Sequence, residues 1–498
     1  MHFIKNQKLL QHSSYINGEW LKVESNENNQ EIIESKFNVV NPATGKSIAH
    51  LLEVTISQVE TAINGAAKAF EKWKLTSYEQ RSNILLKWQA LLRENSEDLA
   101  RILTSEQGKP LSEAIGEILH SADYIKIYAE QAQLFNGPIN QQAPLNQQAN
   151  IYRKPIGVIT AITPWNFPCS MVARKAGAAL AAGCTFVLKP SDLTPLTALA
   201  LAKLGEQAGI PVGVFNVAVG SNAQAIGEIF SSHPRVAKLS FTGSTVVGKK
   251  LLAQCANGVK RTAMELGGNA PFIVFEDADI DEAVKGAIVA KFRNSGQTCV
   301  TANRFIIHKK IKQEFINRLI ESIKKLRTGS GFNSESTLGP LVNQRAIDKI
   351  DRLVKKAKEE GAHILLGGSS CQNNSSLGGT FYEATVINNV TPQMEIFHKE
   401  IFGPVVTLIE FEKKEEAVQL ANQTESGLCA YAYTKNQKTI SNLHEQLNVG
   451  MLGINAAKLS NPAAPFGGVK QSGMGREGGS YGIEEYLDYQ YVCGGIQS

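Results

Sequence analysis

Between Pro155 and Cys255 the chain repeats one pattern: a short apolar run, a loop, then a helical stretch. Residues 156–162 read as a buried strand and 173–180 as a helix. The pattern returns with a strand at 185–188 and a helix at 196–204. Strands at 214–219 and 238–241 follow, with helices at 226–230 and 246–255. Parallel strands need a crossover, and helices must cover both faces of the sheet, so this alternation predicts a mostly parallel, doubly wound α/β sheet. A second unit of the same kind begins after Gly268, with a strand at 271–274, a helix at 283–292, a strand at 304–307 and a helix at 315–326. Two such units suit a chain of 498 residues. Ligands bind these sheets at the carboxyl ends of the strands. That rule singles out the loops 163–168, 189–192, 219–222 and 242–244.

The segment ahead of this pattern is mostly helical. Ser57-Gln-Val-Glu60 reads as a capping box, and Val59, Ile63, Ala66, Ala67 and Phe70 form one apolar face. Leu85, Trp88, Leu91 and Leu92 make a second stripe, and Ile115, Ile118, Leu119 and Ala122 a third. Such stripes are core faces. Residues 131–148 are rich in Gln and Asn and read as a linker. Residues 486–492 read as an exposed strand suited to pairing with another chain.

Charge and composition exclude several classes. The net charge is +5, and Lys and Arg are interleaved with Glu and Asp, so no basic block marks a nucleic-acid binder. The longest apolar run, 176–188, is too short to span a bilayer. The N-terminal residues lack a signal-peptide apolar core. Seven cysteines without a CxxC spacing argue against a disulfide framework or a zinc site, and they suit a reducing cytoplasm.

The chemistry centres on Phe292-Arg-Asn-Ser-Gly-Gln-Thr-Cys-Val-Thr301. It puts Cys299 on a loop between a helix and a strand. A thiolate there can act as a nucleophile, provided a backbone amide or an electropositive site lowers its pKa. Taken alone, a free cysteine is more often a small buried hydrophobe. Thr262-Ala-Met-Glu-Leu-Gly-Gly-Asn269 puts Glu265 in an apolar strand, a costly place for a carboxylate that is neither paired nor functional. Its double glycine would let the backbone approach a ligand closely. In Thr163-Pro-Trp-Asn-Phe-Pro168, Asn166 can donate to an oxyanion together with the Cys299 amide, or simply form an Asx-turn. Phe241-Thr-Gly-Ser-Thr-Val-Val-Gly248 follows a strand and opens a helix. This context suits a pyrophosphate, although the loop lacks the GxGxxG spacing. Arg293 and Arg174 put guanidinium groups near the nucleophile, where they could clamp a carboxylate or sit in ordinary ion pairs.

Glu-Leu-Gly-Gly and Gly-Gln-Thr-Cys, about 30 residues apart, together resemble the aldehyde dehydrogenase superfamily. The likeness runs over essentially the whole chain. In residues 265–277, 291–299 and 465–486 its closest form is succinate-semialdehyde dehydrogenase. The resemblance implies a dinucleotide-binding domain at 1–138 and 156–267 and a catalytic domain at 268–463. It also implies a small β oligomerisation arm at 139–155 and 478–498, and with it a homodimer or homotetramer. It implies Cys299 as nucleophile, Asn166 as oxyanion donor and Glu265 as the base that activates water. NAD or NADP would lie against Thr163, Trp165, Lys189, Ser191, Asp192, Gly220, Thr242, Gly243, Ser244, Val247, Gly248, Leu266, Glu400 and Phe402. NADP follows from the subfamily. Asp192, where relatives carry Glu or a small neutral residue, argues for NAD. Arg174, Arg293 and Ser460 would hold the distal carboxylate of a small aldehyde. No metal, nucleic acid or membrane is implied. The expected setting is cytoplasmic GABA breakdown.

Thr301 stands where many members have a second cysteine, so a two-thiol switch is not expected. Competing expectations are glutarate semialdehyde or a broad aldehyde range, and a silent binding protein on the same fold. A CoA-acylating relative has no use for Glu265, and a Cys-His hydrolase would need a histidine in the site loops.

Overall fold

The computed structural model describes residues 3–22, 35–141, 147–371 and 378–495. The expected dinucleotide-binding range therefore has residues 1, 2 and 23–34 outside the described residues. The same holds for 372–377 of the expected catalytic range and for 142–146 and 496–498 of the expected arm.

The first sheet has eight strands. Its parallel centre runs Phe215–Val217, Thr185–Lys189, Val158–Ile162, Val236–Thr242 and Arg261–Glu265. Thr185–Lys189 is buried along its whole length, as a strand covered on both faces must be. The chain grows in one direction from Val158–Ile162 through the next two strands. It then crosses to the other side with Val236–Thr242. That reversal between adjacent strands is the topological switch point where doubly wound sheets open a crevice. The loop after Ile162 and the loop after Thr242 flank it.

The helix Pro168–Ala182 leaves that crevice, and every residue of it is buried. A helix apolar on all sides belongs in a core. Proline at its start and Gly183 at its end (φ 96°) set its limits. The helix Ile56–Trp73 starts one residue before the expected capping box. The box is formed by Thr55 and Gln58: Gln58 N donates to Thr55 Oγ1 (3.2 Å), and Thr55 N donates to Gln58 Oε1 (2.9 Å). Thr55 has the extended backbone an N-cap needs, whereas Ser57 already lies in the first turn.

The second sheet has seven strands, in the order His363–Leu366, Thr385–Asn388, Val405–Phe411, Ala302–His308, Ala270–Val274, Cys429–Tyr433 and Met451–Ile454. All neighbours but the first pair are parallel. Phe272 anchors its core, with Phe305 and Tyr433 each 5.0 Å away between ring centres.

A three-stranded antiparallel sheet joins Leu487–Gly495, Gln147–Pro155 and Ile139–Gln141. The last strand was expected to pair with another chain. It pairs within this one, from Leu487 opposite Pro155 to Gly495 opposite Gln147. It remains an edge strand, with Tyr489, Tyr491 and Val492 exposed. The helix Gly479–Glu484 before it lies outside this sheet and buries Ile483 in the first core.

Among the described residues no helix is long and apolar enough to cross a membrane. No group of three or more His, Cys, Asp or Glu among them is placed to hold a metal ion. Among the described residues no disulfide is formed.

Candidate active site

Cys299 sits on a turn held under backbone strain. The helix Ile280–Phe292 ends, and Asn294 (φ 52°), Ser295 (φ 54°) and Gly296 (φ 77°) follow in the left-handed region. Non-glycine residues there cost about 1–3 kcal/mol each unless their surroundings hold them. Here they are held. Asn294 N donates to Glu113 Oε2 (2.8 Å), and Asn294 Oδ1 accepts from Gln107 Nε2 (2.9 Å). Ser295 Oγ donates to Gly339 O (2.8 Å), and Gln297 Oε1 accepts from Val342 N (2.9 Å). The turn then delivers Cys299, half-buried, ahead of the strand Ala302–His308.

Asn166 is clamped to the same turn. Its Nδ2 donates to Gln297 O (3.1 Å), and its backbone oxygen accepts from Asn294 Nδ2 (3.0 Å) and Lys109 Nζ (2.8 Å). Lys109 is fully buried and pairs with Glu117 Oε2 at 2.6 Å. The other Glu117 oxygen accepts from the amides of Cys169 and Ser170, at the start of the helix Pro168–Ala182. One buried ion pair therefore joins the Asn166 loop to the helix that carries Arg174. Sequence reading passed over Lys109, Glu117, Gln107 and Glu113. Their available signal was charged or polar side chains on, or just between, otherwise core-facing helices.

The double glycine serves the protein itself. A Cβ on Gly268 would fall inside 3.0 Å of the Cys299 carbonyl oxygen, and one on Gly267 would stand 2.8 Å from Glu400 Oε2. Gly268 N donates to Glu400 Oε1 (2.8 Å). Glycine here lets the strand end pack against the Cys299 loop and an acidic side chain, and Gly267 also lines the cleft that opens beside them.

A cleft of about 350 Å³ opens at this point. Trp165, Asn166, Thr242, Gly243, Ser244, Glu265, Leu266, Cys299, Glu400 and Phe402 all face it. Arg345 and Lys349, on the helix Gln344–Glu359, also line it and were not anticipated. Thr163, Lys189, Ser191, Asp192, Gly220, Val247 and Gly248 do not line it. They lie farther along the carboxyl edge of the first sheet and on the helix Thr245–Ala256. Arg174 and Ser460 form a separate cluster: Arg174 Nη2 donates to Ser460 Oγ (2.8 Å). Arg293 is half-buried over the Phe167 ring, 5.4 Å from its centre.

The charges have definite consequences. Burial pushes the Cys299 thiol up to about 12. Arg174 and Arg293 pull it down, and Glu400 and Glu265 push it up. The expected electropositive activation is thus outweighed, and the resting group is a thiol. Burial, and then the nearby Glu477 carboxylate, hold Glu265 well above the carboxylate range, against Lys175, Arg174 and Arg476. Glu265 Oε2 has no hydrogen-bond partner among the described residues. Glu477 is bonded by Lys175 Nζ (2.7 Å) and lies 3.7 Å from Arg174 Nη1. Glu400 is pushed up to about 7 by burial.

The long side of the cleft suits a dinucleotide. Ser244 caps the helix Thr245–Ala256, whose first amides face a loop with no side chain at Gly243. Thr242 Oγ1 is buried without a partner among the described residues. Phe402 holds a left-handed backbone (φ 61°), and its ring stands edge-on to Trp165 at 5.6 Å.

The sequence model of the Aldehyde dehydrogenase family matches residues 29–492. The chain belongs to the aldehyde dehydrogenase family. The 3-sulfolactaldehyde dehydrogenase of Pseudomonas putida is 46% identical over 99% of this chain and 99% of its own. The mitochondrial succinate-semialdehyde dehydrogenase of Mus musculus is 46% identical over 98% of this chain and 91% of its own. The crystal structure of an aldehyde dehydrogenase from Brucella melitensis biovar abortus 2308 superposes with a TM-score of 0.95 at 44% identity, covering all of both chains. The fold is the aldehyde dehydrogenase fold, and the family assignment supports nicotinamide-dependent oxidation of an aldehyde.

Proposed function

We propose that this aldehyde dehydrogenase oxidises a short aldehyde with a distal anionic group, with succinate semialdehyde as substrate and succinate as product. The observation that carries this reading is Arg174. Its guanidinium is 5% exposed, its Nε and Nη1 lack hydrogen-bond partners among the described residues, and it lies close enough to Cys299 to influence the thiol. Nε is unfilled and Nη1 has only the Glu477 carboxylate at 3.7 Å, so a guanidinium beside Cys299 keeps N–H groups that suit a carboxylate oxygen. Arg293 supplies a second cation and Ser460 a hydroxyl.

Cys299 loses its proton to water in the cleft, and its sulfur adds to the aldehyde carbon, forming a thiohemiacetal. The Asn166 amide and the Cys299 N–H hold the oxyanion. The bound dinucleotide supplies the hydride acceptor at this stage. Glu265 takes a proton from water, which then cleaves the thioester and frees the acid and the thiol. The raised Glu265 pKa makes its carboxylate, once ionised, a stronger base than an ordinary carboxylate.

Residues 1–138 and 156–267 would hold the dinucleotide and 268–463 the nucleophile. Glu400 and Phe402 would flank the nicotinamide ribose and ring. Lys189 would bond the adenosine ribose. Burial pushes the Lys189 pKa down, and the Asp192 and Glu53 carboxylates oppose it. Two carboxylates near that position oppose a 2′-phosphate, which supports NAD over NADP. The open edge of the three-stranded sheet supports assembly into a homodimer or homotetramer. Cysteines that form no disulfide among the described residues suit a reducing cytoplasm, and GABA breakdown would supply the substrate.

A second reading is an aldehyde ending in a sulfonate. Arg174, Arg293 and Ser460 offer donors and positive charge, and a sulfonate accepts from the same donors as a carboxylate. The relative named for 3-sulfolactaldehyde favours it equally by identity. Nicotinamide reduction, followed at about 340 nm, tests both. Succinate semialdehyde, 3-sulfolactaldehyde and propanal are compared, each with NAD and NADP. A large preference for one anionic aldehyde over propanal is expected, and Arg293→Gln should lower that preference about tenfold or more. Equal kcat/KM for propanal would refute the anion subsite. Undiminished activity in Cys299→Ala would refute the mechanism.

A further inference from the structure

No histidine lies in the site loops, yet one reaches the anion subsite from outside them. His120, on the helix Leu111–Gln131, puts Nε2 2.9 Å from Ser460 Oγ. Tyr124, one turn on, puts its hydroxyl 3.3 Å from the same oxygen, and the two rings meet edge-on at 5.1 Å. Arg174 Nη2 donates to Ser460 Oγ at 2.8 Å, and its guanidinium lies 4.7 Å from the centre of the Tyr124 ring. Three side chains from two helices thus converge on one hydroxyl.

We propose that His120 is a positioning residue of the distal-anion subsite: by donating its Nε2 hydrogen to Ser460, it turns the Ser460 hydroxyl hydrogen toward the substrate's anionic group. The inference rests on the anion subsite proposed above.

The argument is one of valence. A hydroxyl has two lone pairs and one hydrogen. Arg174 fills one lone pair of Ser460. If Nε2 carries the ring hydrogen, it fills the second. The Ser460 hydrogen then has nowhere to go but the Tyr124 oxygen or an anion placed beside it. If Nδ1 carries the ring hydrogen, Ser460 spends its own hydrogen on Nε2 and presents a lone pair to the subsite. A lone pair repels a carboxylate or sulfonate, so a bound anion selects the Nε2–H form. The ring has only one hydrogen to place. Burial, with Arg174 and Arg293 nearby and Asp123 opposing them, pushes its pKa down to about 4, so it is neutral at physiological pH. A cation there would add charge without orienting anything. A neutral ring between a hydroxyl and two guanidinium groups acts by direction alone.

The test is a substrate pair in three variants. Succinate semialdehyde carries the anion, and propanal lacks it. For His120→Phe, which cannot donate, the ratio of kcat/KM for succinate semialdehyde to that for propanal should fall about tenfold, the worth of one hydrogen bond to a charged group. The fall should lie in KM for succinate semialdehyde and not in kcat. For His120→Gln, whose amide can donate from nearly the same place, the ratio should return to within about threefold of wild type. An unchanged ratio in His120→Phe, or a Gln variant no better than Phe, would overturn the proposal. Arg293→Gln separates this failure from that of the subsite itself. If it too leaves the ratio unchanged, the anion subsite is wrong. If it lowers the ratio while His120→Phe does not, only the positioning role is wrong.

Discussion

Gly268→Ala should cripple the enzyme while leaving it folded. The added methyl would fall inside 3.0 Å of the Cys299 carbonyl oxygen, a distance real Cβ atoms essentially never show, with the Cys299 carbonyl carbon at 3.4 Å and Leu428 Cβ at 3.6 Å. Ordinary contact begins at 3.4 Å, so the carbonyl must retreat by about 1 Å or the strand end must tilt. Neither movement is free. The nucleophile turn is pinned by Asn294, Ser295 and Gln297, and the Gly268 amide is bonded to Glu400. Overpacking of this kind costs about 1–3 kcal/mol of stability, which a chain with two large cores survives. The cost to chemistry is larger, because a displacement of about 1 Å in a reacting group lowers rate by about 10²-fold. The assay is kcat for succinate semialdehyde at saturating substrate, with a thermal melt on the same preparation. A kcat within twofold of wild type, with the fold intact, would refute the claim that this glycine sets the position of Cys299.

Because burial holds the Cys299 thiol near 12, iodoacetamide inactivation of the enzyme without dinucleotide should be slow at pH 7 and still accelerating above pH 9; a plateau below pH 8 would refute that reading. Glu265, held above the usual carboxylate range, acts as a base only in its ionised form. The deacylation rate should therefore fall as pH drops through a range above that of ordinary carboxylates, and Glu265→Gln should abolish this dependence while retaining one rapid turnover of dinucleotide per site, seen by stopped flow. Lys109→Met leaves Glu117 buried without its cation, which should cost about 3–5 kcal/mol in chemical denaturation and, by freeing the Asn166 loop, lower kcat as well. A loss of stability with unchanged kcat would separate the loop from the ion pair.

The alternation of strands and helices was legible because each element carries its own period, and the parallel sheet follows from the crossovers that period demands. That Cys299 and Glu265 would face one cleft was legible for a related reason: each is a chemically costly residue in a short motif. The rest of the site depends on contacts between distant segments, which no local period records. Lys109, in a short connection, and Glu117, on the next helix, look like ordinary charges until the fold buries both and brings Lys109 to the Asn166 carbonyl. His120 looks like one more polar residue in a core stripe until Ser460, 340 residues on, meets its ring. The double glycine was read as a place where backbone must come close, and it packs against the Cys299 carbonyl and Glu400 while Gly267 lines the cleft, two neighbours that a missing side chain does not name. The Cys299 thiol shows the same limit in energy. Two arginines nearby in sequence or fold suggest an acidic thiol, yet the burial that makes the site selective outweighs both. Sign and proximity can be guessed from a chain, but the balance of desolvation against charge is set only when the cleft has its walls.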